Sequence, residues 1–405
     1  MERERVAGVR ILFLSSWFPY PPDNGSRIRV FNLLKQLSQS HVITLLSFTQ
    51  TDSDPRHVSE LLKYCREVYT VPAISYQPRR WRAIRGFLSP RPRFIVDTYS
   101  SEMETLVWET VGRKSFDLIL ASQISTAPYV QDLNSARKVF EEVELTVIRE
   151  QFASQTDLIR RLRFGLTWWK KTHFTANLLK KFDACTVVSE QERAHILECV
   201  PGYPVTVIPN GVDLNWYKGD FGAPERGALI FPAPLAYYAN FDAMKFFLKE
   251  VFPKIRSKRP EAILRITGRA AGVPVDRLPL GEGTILTGYL DDVRPTVAQS
   301  WACIVPLRIG GGTRLKILEA MALGTPVVST SKGAEGLEVT HGENILIADT
   351  PAEFADAVLR LLDDRALRAR LAANGRRLVE DQYGWEGIGK KLDQLLREVV
   401  EERKA

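Results

Sequence analysis

The sequence is poor in the residues that build disulfide frameworks and metal centres. Its four cysteines, Cys65, Cys185, Cys199 and Cys303, lie far apart and form no CxxC pair. That pattern argues against a disulfide scaffold or a zinc site, and reduced thiols fit a cytosolic enzyme. The five histidines are not clustered either, so no metal is expected. No apolar run reaches the ~18 residues of a membrane-spanning helix. The first residues, MERERVAGVR, alternate charges and lack a secretory apolar region, so the expected location is cytoplasmic. There is no internal repeat and no low-complexity segment.

What is present is ordinary for a globular enzyme of more than one domain. At 405 residues, a prior of about 150 residues per domain suggests two or three units. The net charge of +7 is unevenly placed, with 28 Lys/Arg against 22 Asp/Glu in residues 1–200 and 27 against 26 in 201–405. Positive charge on one half suits an anionic partner, although solubility alone accounts for it equally well.

Short apolar runs alternate with helical spacing along the whole chain. Val9–Ser15, His41–Phe48, Val68–Pro72, Phe116–Ser122, Lys138–Val143 and Ala184–Ser189 read as strands. Residues 144–182 read as a long helical stretch rich in Arg, Lys and Trp. A segment with three prolines and an Asn-Gly turn, PGYPVTVIPNGVD, then marks a domain boundary. The alternation restarts with strands at Ala228–Pro232, Ala262–Gly268, Trp301–Leu307 and Thr325–Thr330, with helices at Phe241–Lys258 and Thr313–Leu323. Such alternation implies α/β domains with parallel sheets. Ligands bind such sheets at the carboxyl ends of their strands, and two facing sheets make the cleft between them the default site.

The strongest local signal is VPLRIGGGTRLKILEAMALGTPVVST, residues 305–330. A strand leads into Gly310, Gly311 and Gly312, and a helix with Thr313 near its start follows. Glycines let a backbone approach a ligand closely. The amides of Gly312, Thr313, Arg314 and Leu315, with the helix dipole, would bind an anion. Arg314 and Lys316 add charge, a combination suited to a diphosphate. Leu315, Leu318 and Ala322 share a core face. Gly312, Lys316 and Glu319 share another, and Glu319 leans back toward the loop. A carboxylate there suits two adjacent hydroxyls, such as those of a ribose. The plainer alternative is a mobile loop followed by a Lys316–Glu319 ion pair on a solvated face.

At this point the sequence resembles family 4 glycosyltransferases of the GT-B fold. The resemblance rests on PLRIGGGTRLKILEAMALGTPVV, on VIPNGVD upstream, on FPYPPDNGSR before the first helix, on TVVSEQE at Thr186–Glu192, and on LIFPAPLAYYANFDA. It runs from about residue 9 to 400 and is strongest over 205–350. It implies an α/β GT-B architecture, two Rossmann-like domains with parallel sheets facing a central cleft. Residues 1–203 would bind the acceptor and 204–383 the donor, with a helix in 384–405 packing back on the first domain. It implies transfer of a sugar from a nucleoside-diphosphate sugar with retention of configuration. No metal is required and no cofactor beyond that co-substrate.

Glu319 matches the second glutamate of the family's E-x7-E pair, the ribose ligand. Gly311 stands where the first glutamate is usual, the one that touches the donor sugar. Gly25 and Ser26 match the glycine loop beside the diphosphate, and Tyr289 and Leu290 fall in the base-binding region. The family's Arg and Lys after the strand Ala228–Pro232 are replaced nearby by Pro234 and Asn240. Arg314, Lys316 and Arg308 are then the candidates to neutralise the diphosphate. The expected catalytic set is Glu319, Arg314 and Lys316. The donor set adds Gly25, Ser26, Tyr289, Leu290, Gly311, Gly312, Thr313 and Leu315.

Glu142 and Glu144, in VFEEVE, end an expected strand and are candidates for acceptor contact, against an ordinary polar loop. His41 reads as a strand-edge residue. QPRRWRAIRGFLSPRPR, Gln77–Arg93, holds six arginines and no acid, and IRRLRFGLTWWKK, Ile159–Lys171, is similar. Such stretches suit peripheral contact with an anionic membrane on its inner face, where a lipid-linked acceptor would lie. Solvated helix faces and RNA contact are the rivals, and no nucleic-acid motif supports the last. The leading reading is a hexosyl-type transferase of cell-surface polysaccharide or glycolipid synthesis. A nucleotide-sugar epimerase and an inactive scaffold are the alternatives.

Overall fold

The computed structural model describes residues 8–50, 55–153, 155–270 and 272–402. The chain divides into two units, residues 8–209 with 388–402, and Asn210–Gly387.

The first unit holds a seven-stranded sheet. Its strands are β1 (Arg10–Ser15), β2 (Val42–Thr49), β3 (Glu67–Pro72), β4 (Leu118–Ser122), β5 (Arg137–Glu141), β6 (Ala184–Val187) and β7 (Val205–Val207). They run in the order β3-β2-β1-β4-β5-β6-β7 and every pair is parallel. Central strands of a parallel sheet are covered on both faces, so they read as unbroken apolar runs. Ile11, Leu12, Phe13 and Leu14 of β1 are accordingly all fully buried. The short β7 pairs with β6. It thereby keeps the residues just past the expected 203/204 boundary with the first sheet.

The helices that shape this unit's site are α1 (Gly25–Leu37), α2 (Trp81–Arg85), α3 (Arg93–Thr98), α4 (Thr146–Ala153) and α5 (Leu158–Leu179). The stretch expected as one helical region is two helices, because Asp157 caps a new one by accepting from the Arg160 amide at 2.8 Å.

The second unit has a six-stranded sheet of β8 (Ala228–Pro232), β9 (Ile263–Thr267), β10 (Thr284–Gly288), β11 (Ala302–Val305), β12 (Val327–Ser329) and β13 (Leu346–Ile347). The order is β10-β9-β8-β11-β12-β13, again all parallel. Its helices include α6 (Tyr238–Phe246) and α7 (Leu315–Ala322). One aliphatic and aromatic core, with Phe231, Phe247, Leu318 and Phe354 among its members, fills the unit. The final helix, α8 (Trp385–Glu401), buries Ile388, Leu392, Leu396 and Val399 along one stripe.

His41 is structural. Its Nδ1 accepts from the Val9 amide at 3.1 Å and its Nε2 meets Asp393. Burial lowers its pKa, against the pull of Asp393.

In each sheet the winding direction reverses once, between β1 and β4 and between β8 and β11. Loops diverge at such a switch point and leave a crevice beyond the carboxyl ends of the strands.

Candidate functional site

In the second unit the crevice is bracketed by the loops after β8 and β11. Gly310, in the β11 loop, has a φ of +98°, and a Cβ there would stand 3.0 Å from the Ala239 Cβ. A side chain there would crowd the start of α6, and the left-handed backbone itself favours glycine. Gly268, at the end of β9, has a φ of +102°, and a Cβ would sit 2.6 Å from the Pro234 Cα. Here too a bare backbone lets neighbouring loops close on each other.

The helix begins later than expected. Gly312 has a φ of +82°, Arg314 has a non-helical ψ of 64°, and α7 starts at Leu315. The Leu315 amide already bonds to the Thr313 carbonyl at 3.0 Å, and Ile317 to Arg314 at 2.9 Å. Gly312, Thr313 and Arg314 thus belong to the loop rather than to a first helical turn. Thr313 Oγ1 accepts from Asn210 Nδ2 at 2.7 Å, which ties the loop to the Asn-Gly turn of VIPNGVD.

Arg314 is buried, and its guanidinium donates to the carbonyls of Gly311 and Gly310 at 2.7 Å each and of Lys332 at 3.3 Å. It turns these three carbonyls inward and joins the loops after β11 and β12. Its place is that of a positioning residue for the glycine loop. Arg308 is also engaged, with Asp242 at 2.7 Å and over the Phe246 ring.

Lys316 is the cation left at the crevice. Its Nζ donates to Asn240 Oδ1 at 2.8 Å and lies 4.7 Å from the Phe231 ring centroid. Asn240 in turn donates to the Pro234 carbonyl at 2.8 Å. The two residues that replace the family's Arg and Lys therefore form one chain with Lys316 and aim it at the β8 loop. Burial pushes the Lys316 pKa down to about 8. One turn on, burial raises the Glu319 carboxyl, while the Tyr217 hydroxyl and Lys316 favour its charged form. The core face of α7 is Ile317, Leu318, Ala320, Met321 and Ala322, with Leu315 packed at its edge. The Lys316–Glu319 face is thus a partly buried face of the crevice and not a solvated ion pair.

Tyr289 and Leu290 follow β10, two strands from β8, or about 10 Å away. Tyr289 is exposed and carries the Arg269 guanidinium 4.8 Å over its ring. Tyr217 and Asn210 were not singled out as ligands from sequence. The tyrosine in NWYKGD had no periodic partner to betray it.

In the first unit, β1 ends at a loop whose Asn24 caps α1 by accepting from the Arg27 amide at 3.1 Å. Gly25 and Ser26 open that helix. Ser26 Oγ receives Gln123 Nε2 at 3.4 Å, and the same nitrogen donates to Glu142 at 2.9 Å. Gln123 and Glu142 both have left-handed backbones, with φ of +71° and +58°. Strain of this kind in non-glycine residues gathers at functional sites. It also explains why β5 stops at Glu141, two residues short of the expected Val143.

The neighbouring glutamates have opposite jobs. Glu141 is fully buried, bonded to Arg29 at 2.6 Å and to Ser122 Oγ at 2.6 Å. Glu142 is half-buried and accepts from Gln123, which also reaches Ser26. Burial raises its pKa and Glu141 pushes the same way, against Arg29. Glu144 keeps an exposed surface, yet the protein around its carboxyl desolvates it and raises its pKa, with Lys171 opposing. Among the described residues no three His, Cys, Asp or Glu side chains gather as a metal site.

Comparison with known proteins puts a family on this geometry. The family model for glycosyl transferases group 1 matches residues 226–364. An uncharacterized 44.6 kDa protein in the cps region of Klebsiella pneumoniae is 20% identical over 93% of this chain and 96% of its own length. A GDP-mannose-dependent monoacylated alpha-(1-6)-phosphatidylinositol monomannoside mannosyltransferase of Corynebacterium glutamicum is 27% identical over 37% of this chain and 42% of its own.

Among solved structures, the sucrose-phosphate synthase of Thermosynechococcus elongatus has a TM-score of 0.68 at 19% identity, covering 97% of this chain and all of that one. Anabaena Alr3699/HepE in complex with UDP and glucose has a TM-score of 0.66 at 17% identity, covering 96% and 99%. The second unit thus carries a glycosyl transferases group 1 domain over residues 226–364, and the chain as a whole has the two-sheet GT-B fold of these solved structures.

Proposed function

We propose that the protein transfers a sugar, with retention, from a nucleoside-diphosphate sugar held by the second unit to a hydroxyl of a cell-surface glycan or glycolipid held by the first. This is family 4 chemistry with the nucleotide sugar as co-substrate and no further cofactor. One observation carries the proposal. A glycine loop, Lys316 and Glu319 converge at the switch point of a parallel sheet inside the group 1 domain.

The roles follow from charge. Bond breaking at the anomeric carbon leaves negative charge on the diphosphate, and fixed donors aimed at that charge stabilise it. Lys316 supplies the cation, the Gly311–Thr313 backbone supplies close approach, and Arg314 holds that backbone in place. Glu319 takes the ribose hydroxyls, and Tyr289 offers an aromatic face to the base. Glu142 and Glu144 contact the acceptor. Among the described residues no helix is long and apolar enough to cross a membrane. The basic stretches 77–93 and 159–171 are assigned to peripheral contact with an anionic bilayer at its inner face.

The test is to incubate the protein with UDP-, GDP- and ADP-sugars and follow both nucleotide and sugar. Release of one nucleoside diphosphate supports transfer. A changed sugar still joined to its nucleotide would mean an epimerase, and no reaction with any donor would mean a scaffold.

A further inference from the structure

The two basic, aromatic stretches meet. Lys170 of α5 is buried and donates to the carbonyls of Gly86 at 3.1 Å and Phe87 at 2.7 Å. That pins the chain after α2 to the middle of α5. Arg93 adds a second tie, donating to the carbonyls of Ala83 and Pro78 at 3.0 and 2.7 Å and covering the Phe87 ring at 3.8 Å.

Between these segments and α4 lies a cavity of about 560 Å³, within the range of small-molecule pockets. Its walls are apolar, with Phe87, Phe94, Phe164 and Leu166 prominent, and its charged lining includes Arg163 and Lys171. The one acid that lines it is Glu144, three residues past β5. The cavity therefore reaches the carboxyl edge of the first sheet, where Glu142 stands.

Two further features say what enters. First, the charge is one-sided. The 22 residues of α5 contain no Asp or Glu, nor do Gln77–Arg93. Arg163 pairs with no carboxylate among the described residues. Second, apolar surface continues out of the cavity. Leu162 and Ile159 precede Leu166 and Arg163 by one helical turn each, on the same face, and are 67% and 79% exposed. Trp81 and Leu88 on the facing stretch are 68% and 94% exposed. An apolar track that starts in solvent, enters a cavity and ends among cations is complementary to a long chain with an anionic head.

We propose that this cavity binds the acceptor's lipid phosphate, with the hydrocarbon chain along α5 and α2 and the phosphate at Arg163 and Lys171. Its role as an acceptor site rests on the transferase reading, whereas the binding itself does not. The chain emerging past Ile159 and Leu88 would continue into a bilayer, so the membrane contact and the acceptor site are one feature.

The probe is farnesyl phosphate below its micelle concentration, compared with farnesol and with inorganic phosphate, binding being followed by tryptophan fluorescence. Farnesyl phosphate should bind at least tenfold more tightly than either control. Arg163→Glu should lose tenfold or more, and Leu166→Asp likewise. Nucleoside-diphosphate binding by the second unit should be unchanged in both, and a thermal unfolding profile of the full chain matching the wild type confirms that the first unit of the variants folds.

Equal binding of farnesol would remove the phosphate from the account. Affinity for phosphatidylglycerol vesicles without any for the monomeric probe would mean surface docking only. Affinity for single-stranded RNA that exceeds that for the probe would mean a nucleic-acid surface. Each of these overturns the proposal. Probe binding without nucleotide binding would instead sink the transferase reading and leave the lipid-phosphate cavity standing.

Discussion

The two sheets of this protein share a winding rule and differ in what they do with it. Each reverses direction beside its first strand and opens a crevice there. In the second unit that crevice is built from glycine, a half-buried lysine and a carboxylate on one helix. In the first it is built from two strained residues, Gln123 and Glu142, the second of which carries a carboxyl of raised pKa. On the proposed reading one scaffold serves an anion in one unit and a hydroxyl acceptor in the other, because function lies in the loops and not in the strands.

The largest expected effect separates two adjacent glutamates. Glu141→Ala leaves Arg29 buried without its carboxylate and should cost about 3–5 kcal/mol of stability. Glu142→Gln should leave stability within about 0.5 kcal/mol and lower acceptor use at least tenfold. Urea unfolding and transfer rates measured on both variants check the pair.

Next comes Lys316. Its folded pKa of about 8 lies below the ordinary 10.5, so the unfolded chain holds this proton more tightly. Stability from this group is therefore greatest above 10.5 and falls as pH drops through 8. Anion binding runs the other way, since the charge is present below about 8 and lost above it. Lys316→Met should make the fold about 1–3 kcal/mol more stable. It should also weaken nucleoside-diphosphate binding and flatten its decline above pH 8. Thermal unfolding and binding titrations at several pH values test both signs.

The smallest effect concerns strain. Glu142→Gly removes a side chain from a backbone with φ of +58° and should stabilise the first unit by about 1 kcal/mol, while impairing acceptor use as Glu142→Gln does. A Glu142→Gly chain less stable than wild type would show that the left-handed backbone stores no strain.

The comparison also shows what sequence can reveal. Strands β1, β2, β8 and β11 were legible because central parallel strands are unbroken apolar runs. The partly exposed β10 and the two-residue β13 were not, since neither has a periodicity long enough to register. Lys316 and Glu319 were legible through helical spacing. Arg314 was legible as a site residue, but its inward turn toward three carbonyls was not, because charge in a motif does not show which way it points. Gln123 was invisible. Its importance comes from a backbone angle and from partners 97 and 19 residues away.

Calorimetric titration of the full chain with UDP, GDP and ADP, wild type beside Glu319→Ala, tests the donor site most directly. One nucleotide should bind the wild type in the micromolar range, about −8 kcal/mol, and the variant at least 100-fold more weakly. Binding of none at millimolar concentration, or equal binding by the variant, would contradict the placement of a nucleoside diphosphate between the glycine loop and Glu319.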